Sequence, residues 1–202
     1  NIPSRVTAIE NSMFYECSSL EKLTIPNNIT AIGSHAFMRT GLKDITIPGS
    51  VATIGEQAFM ECADLETVKL NDGLKTIGKL AFFQCTNLKK ADLPDSVTSI
   101  DSSAFSECPN LPRRDTIPGG VTEIEAYAFR GNDELVSFVI PDHVTRIGHQ
   151  SFKDCKNLKS VTIPESVTTI DMEAFSGCTS LESITLPSGV TTIASNAFSN
   201  TG

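Results

Sequence analysis

Tryptophan is absent from this sequence, and only two tyrosines and three histidines occur among its 202 residues. Because Trp, Tyr and Arg supply much of the binding energy in tight protein interfaces, a concentrated binding hot spot is not expected. The histidines, His35, His143 and His149, have no cysteine or carboxylate at a spacing typical of zinc sites. We therefore expect no metal site and only weak binding by any single part of the surface.

Positive charge and long apolar runs are also scarce. Lys and Arg total 16 against 24 Asp and Glu, which gives a formal net charge of −8 and would repel a phosphate backbone. No apolar run approaches the roughly 20 residues of a membrane-spanning helix, and the amino terminus has no secretory pattern. We expect neither a nucleic-acid partner nor a membrane span here. Because the sequence begins without Met and stops inside a repeat, we expect a fragment of a longer array.

What the sequence does contain is one pattern written nine times. An isoleucine stands five residues before each of nine phenylalanines, whose spacing is 22 to 24 residues. These are Phe14, Phe37, Phe59, Phe82, Phe105, Phe129, Phe152, Phe175 and Phe198. Self-similarity at this period is typical of a short-repeat solenoid, because so small a unit must bury its apolar face against its neighbours.

Each repeat predicts two local structures. The segment that begins at the recurring Leu of each repeat, such as 20–25 or 181–186, has apolar residues two apart and therefore predicts a short strand. Eight parallel strands are expected. Proline follows most of these segments and would end them. The stretch 55–59 places Ala and Phe where a single helical or 3₁₀ turn would bury them. The predicted fold class is an α/β repeat solenoid.

The pattern I-P-x-x-V-T-x-I-G-x-x-A-F-x-x-C-x-x-L, as in 47–65 and 163–181, resembles the BspA-like leucine-rich repeats. The resemblance implies a right-handed superhelix with short parallel strands and about nine 22–24 residue units, forming a single solenoid domain over residues 1–202. It also implies a cell-surface or secreted protein that attaches to host matrix or other cells. No catalytic residue and no cofactor is implied.

Six cysteines follow the repeat and not a metal or redox motif. Each stands three residues after a Phe, at Cys17, Cys62, Cys85, Cys108, Cys155 and Cys178. We expect a row of free, buried thiols. Disulfides between adjacent repeats remain an alternative, since strand spacing falls within disulfide range.

The fifth unit carries one extra residue between Leu111 and Ile117, which predicts a bulge. The insertion is either merely tolerated or a site at which Arg113, Arg114 and Asp115 project from the strand surface. In the seventh unit, basic residues from His143 to Lys159 form either a solvated surface or a small anion-binding patch.

The outward strand positions are mostly small and polar, with charges at Lys22, Lys69, Lys90 and Asp92. Together with Arg113, Arg114 and Asp115 they form the predicted ligand surface, which would bind an extended protein weakly and gain strength by repetition. The leading hypothesis is a non-catalytic, protein-binding module of an adhesin. The alternative is a structural spacer or self-associating scaffold. An enzyme is disfavoured because carboxylates are scattered over the repeat loops.

Overall fold

The computed structural model describes residues 2–111, 118–133 and 135–202, and in these residues the chain forms fourteen short strands. A two-residue strand ends at the isoleucine of every repeat: β1 Ala8–Ile9, β2 Ala31–Ile32, β4 Thr53–Ile54, β6 Thr76–Ile77, β8 Ser99–Ile100, β9 Glu123–Ile124, β11 Arg146–Ile147, β13 Thr169–Ile170 and β14 Thr192–Ile193. A longer strand follows the leucine in five repeats: β3 Asp44–Ile47, β5 Thr67–Leu70, β7 Lys90–Asp92, β10 Ser137–Val139 and β12 Ser160–Thr162.

All strand pairs are parallel, and each pairs the same position of adjacent repeats. The short strands form sheets in the order β1-β2-β4-β6-β8 and β14-β13-β11-β9, and the longer strands form β3-β5-β7 and β10-β12. In the first sheet Ile9 lies opposite Ile32, and Ile32 lies opposite Ile54. The predicted solenoid of parallel strands is therefore confirmed.

Two of the predicted strand segments are wrong. Residues 20–25 and 181–186 are not strands, although the sequence pattern is clear in both. Each is the outermost such segment in this sequence and has a neighbouring repeat on one side only. The short isoleucine strands, in turn, were not predicted.

The α/β label is also wrong, because the described residues contain no helix. The residues two before and two after each stacked Phe instead have a left-handed backbone conformation, as at Gln57 (φ 57°) and Glu61 (φ 57°). Amides of alternate residues donate to the next repeat, with Gln57 N to Lys79 O at 2.8 Å and Phe59 N to Ala81 O at 2.7 Å. In a helix these amides would instead donate to carbonyls four residues earlier in the same repeat. The left-handed residues cost about 1 kcal/mol or more each, and inter-repeat hydrogen bonds offset that cost.

The phenylalanines form the predicted core. Phe37, Phe59 and Phe82 are fully buried, and their ring centroids lie 4.9 and 5.1 Å apart. The rings of successive repeats stack nearly parallel from Phe14 to Phe105 and again from Phe129 to Phe198. Each ring thus covers the next, and the interior of one repeat is completed by its neighbours.

The cysteines are free thiols, as predicted, and five of the six are buried. The buried thiols donate to the carbonyl of the Phe in an earlier repeat, as Cys62 Sγ does to Phe37 O at 2.9 Å. Burial raises the pKa of the Cys178 thiol to about 12 and that of Cys85 well above its usual value. The prediction is wrong for Cys17, which is exposed because no earlier repeat of this sequence covers it.

Gly73 closes the turn after β5 and offers a test of how closely adjacent turns pack. Its φ of 116° suits glycine alone, and an added Cβ would lie 1.9 Å from Gly49 O. We expect Gly73→Ala to lower the free energy of unfolding by about 2 to 3 kcal/mol, as measured by urea denaturation. The control is Gly119→Ala, where a Cβ would have nothing within 4 Å. Equal stability of the two variants would contradict this packing.

The sheet of short strands changes between the fifth and sixth repeats, where β8 and β9 belong to different sheets. The predicted bulge between Leu111 and Ile117 lies outside the described residues. Along the turn surface the two repeats remain joined, because Ser103 N donates to Ala126 O at 2.9 Å and Glu107 N to Arg130 O at 3.0 Å.

Candidate ligand-binding surface

The strand surface consists of the outward side chains of β3, β5, β7, β10 and β12. Along β3, Asp44 and Thr46 are exposed whereas Ile45 and Ile47 are buried, as the alternation of a half-buried strand requires. In register, Asp44 lies opposite Thr67 and Thr46 opposite Lys69. The outward side chains therefore form two straight rows that cross the repeats.

Three predicted site residues lie together on this surface. Lys69 of β5 is directly opposite Asp92 of β7, and Lys90 Nζ lies 3.3 Å from Asp92 Oδ2. All three side chains are exposed, so the Lys90–Asp92 ion pair contributes little to stability. The other predicted group, Arg113, Arg114 and Asp115, lies outside the described residues.

The fourth predicted residue, Lys22, borders a groove of about 340 Å³ between the first repeat and β3. Lys22 and Asp44 place opposite charges on its walls, and Asn27 and Asn71 contribute amide groups. The repeat period could not predict this groove, because it depends on residues 22–25 not joining the sheet as a strand.

The two ends of the strand surface differ in chemistry. Beyond the fifth repeat, β10 and β12 present Ser137, Ser160 and Thr162, together with Val139, which is 52% exposed. Charged groups therefore concentrate on β3, β5 and β7, whereas hydroxyl groups and one apolar side chain follow.

Charge bridges between repeats were missed by the sequence reasoning. Arg39 contacts Glu16 (Nη1–Oε1, 3.0 Å) and Glu61 (Nε–Oε2, 2.8 Å), which belong to the repeats on either side. The hydrogen bond from Arg39, with a smaller one from Tyr15, lowers the pKa of Glu16. All three bridge residues stand two after a stacked Phe, so opposite charges one period apart were the available signal.

Similar bridges occupy much of the basic seventh unit. Arg146 pairs with Glu123 at 3.3 Å and Asp171 at 2.6 Å, and Lys153 pairs with Glu173. The hydrogen bond from Lys153 lowers the pKa of Glu173. Because carboxylates of neighbouring repeats already neutralise these cations, the solvated surface is favoured over an anion-binding patch.

No cluster of three or more His, Cys, Asp or Glu side chains that could hold a metal occurs in residues 2–111, 118–133 and 135–202. None of the same residues forms a helix with the length and apolar character needed to cross a membrane.

Comparison with known proteins gives a family and a fold. The family model described as "BspA type Leucine rich repeat region" matches residues 1–112 and 114–202, in six copies. Among solved structures, the T. pallidum leucine-rich repeat protein is 27% identical, with a TM-score of 0.76 over 88% of this chain and 84% of that one. A leucine-rich repeat protein from Bacteroides ovatus is 25% identical, with a TM-score of 0.59 over 99% and 69%. No protein of curated function matches the sequence.

Proposed function

The chain belongs to the BspA-type leucine-rich repeat family, and from that membership we propose that it is a protein-binding module of a cell-surface or secreted adhesin that attaches to host matrix or other cells. Leucine-rich repeat families are generally non-enzymatic scaffolds that bind other proteins. This proposal extends that general role to one class of partner and one location.

The observation that carries the proposal is the strand surface. Register across β3, β5 and β7 places Asp44, Lys69, Lys90 and Asp92 on one face, with threonines between them. An extended partner could therefore meet the same spacing of polar groups at each repeat. Each contact would be weak because the charges are exposed, and avidity over several repeats would supply the affinity.

A rigid spacer is the second candidate, and the charge bridges favour it. Arg39 and Arg146 each tie three consecutive repeats together. Such bridges would resist bending of the array whether or not any ligand binds to the strand surface.

Binding of the purified chain to immobilised fibronectin, laminin and collagen, measured by biolayer interferometry, tests the proposal. For any protein that is captured, we expect Lys69→Glu with Lys90→Glu to weaken binding by about fivefold or more through charge reversal. The matched control is Lys75→Glu with Lys79→Glu, which makes the same charge change at exposed residues away from these strands.

Equal loss in both double variants would show that net charge and not the strand surface governs capture, and would contradict the proposal. Failure to bind any matrix protein, with self-association seen by sedimentation at high concentration, would favour the spacer instead.

A further inference from the structure

The groove beside Lys22, here called the Lys22 groove, lies along an unpaired edge of strand β3. In a parallel sheet the backbone groups of alternate residues point to opposite neighbouring strands. Asn71 N donates to Ile47 O at 3.2 Å, so Ile47 and every second residue before it face β5. The amides and carbonyls of Asp44 and Thr46 therefore face the groove.

The other wall of the Lys22 groove has unpaired backbone as well. Segment 22–25 of the first repeat forms this wall, and no backbone hydrogen bond joins it to β3 or to any other part of the chain that the structure describes. One repeat later, the equivalent strands β3 and β5 pair in register over four residues. Backbone groups aligned along a free edge are those to which a further strand binds.

Two charges at the same level of the groove also lack an ion-pair partner. Lys22 and Asp44 are 22 residues apart, as are Glu21 and Lys43, whose side chains form an ion pair at 2.9 Å (Oε2–Nζ). Lys22 and Asp44 have opposite charges too, but neither forms an ion pair with a described residue. The groove therefore holds one unneutralised charge of each sign, on opposite walls.

Apolar side chains form the floor of the Lys22 groove. Leu23, Ile25 and Ile45 line it, together with Pro48. Its volume of about 340 Å³ lies in the range of ligand pockets, about 300 to 1,000 Å³. An extended segment with apolar side chains facing inward and polar ones facing outward matches this floor and these walls.

We propose that the Lys22 groove binds an extended segment of a partner protein, which adds to the edge of β3 as a parallel strand. The segment's backbone would donate to Asp44 O and accept from Thr46 N, whereas a helical ligand would leave these groups unpaired. An acidic side chain would pair with Lys22, and a basic one two residues away with Asp44. Because no hydrogen bond holds segment 22–25 against β3, entry of the strand breaks none.

The probe for this site is a terminally blocked peptide with the sequence of residues 88–93, which includes β7 and has a basic and an acidic outward residue two positions apart. At millimolar concentration we expect saturable amide shifts of the ¹⁵N-labelled chain, centred on Asp44 and Thr46. N-methylation of the peptide at the positions of Ala91 and Leu93 removes the donors that would face β3. This change should weaken binding about tenfold or more.

A variant of the chain tests the same contact from the other side. Thr46→Pro removes the amide that faces the groove and breaks no bond to β5, because Thr46 points away from that strand; proline is tolerated on edge strands. We expect the peptide to bind this variant about fivefold more weakly or worse. The matched control Thr46→Val keeps the amide and should bind as the parent does. If Thr46→Pro proves unstable to urea, the N-methylated peptide gives the same comparison on the unaltered chain.

Equal binding of the peptide and its N-methylated form would overturn the assignment, as would the lack of a saturable shift or shifts centred on another strand edge. Strong protection of the Asp44 and Thr46 amides from hydrogen exchange in the chain alone would also overturn it, because segment 22–25 would then already pair with β3. The groove is on the edge of the sheet and not on its face, so Lys69→Glu with Lys90→Glu should leave the position of the shifts unchanged. Failure of the adhesin proposal and failure of this one are therefore distinguishable.

Discussion

Replacing Phe82 by alanine is expected to lower the free energy of unfolding by about 3 to 5 kcal/mol, the usual cost of truncating a buried phenylalanine. Phe82 is fully buried, and its ring lies 5.1 Å from Phe59 and 5.2 Å from Phe105, within 4° of parallel to both. The cavity left by the ring would therefore be shared by three repeats, and no single repeat could close it by a local shift.

The adjacent residue provides the matched control. Phe83 is only partly buried and belongs to no described ring stack, so Phe83→Ala should cost about 1 kcal/mol. Urea denaturation of both variants measures the difference. Equal losses at the two positions would mean that the stack contributes nothing beyond ordinary apolar burial.

Features that recur along the repeats could be predicted from the sequence. Phe59 and Cys62 hold fixed offsets within the unit, and stacking identical units forces identical side chains into rows. The buried rings and thiols therefore followed from the period alone. The outward direction of Lys69, Lys90 and Asp92 followed from the two-residue alternation of a strand.

The conformation around Phe59 could not be predicted in the same way. Burial of Ala58 and Phe59 fits a helical turn and the observed turn, with its left-handed residues Gln57 and Glu61, equally well, because both place neighbouring residues in the core. Which of the two turns forms depends on which carbonyls accept hydrogen bonds from the amides of Gln57, Phe59 and Glu61, and here those carbonyls belong to the next repeat. A pattern of apolar residues does not indicate which carbonyls these are.

The candidate sites were predictable only in part, for two physical reasons. The groove beside Lys22 exists because residues 22–25 do not join β3 as a strand, which is a departure from the period. The bridges of Arg39 depend on which charges lie one repeat before and after it, and these residues become neighbours only once the register is known. The role of Arg113, Arg114 and Asp115 stays a prediction.

Deletion of one complete period tests the central claim, that each repeat completes the interior of its neighbours. Removal of residues 56–78, which number 23, joins Gly55 to Lys79 at equivalent positions of the third and fourth repeats. β3 would then face β7 in place of β5, and the stacking of Phe, Ile and strand positions would be kept, while the exposed ion pairs Arg39–Glu61 and Lys89–Glu66 would be lost. Removal of residues 56–67, about half a period, would instead leave a coil that lacks its Phe, Cys and Leu and cannot stack on either side.

Urea unfolding followed by far-ultraviolet circular dichroism is the decisive measurement for this pair of deletions. The 56–78 deletion should retain one cooperative transition, with an m-value lower by about one part in nine because proportionally less surface is exposed. The 56–67 deletion, although shorter, should lose cooperativity and part of its strand signal. A protein that tolerates the shorter deletion as well as the longer one, or that unfolds on loss of the complete period, would contradict the stacked-repeat account.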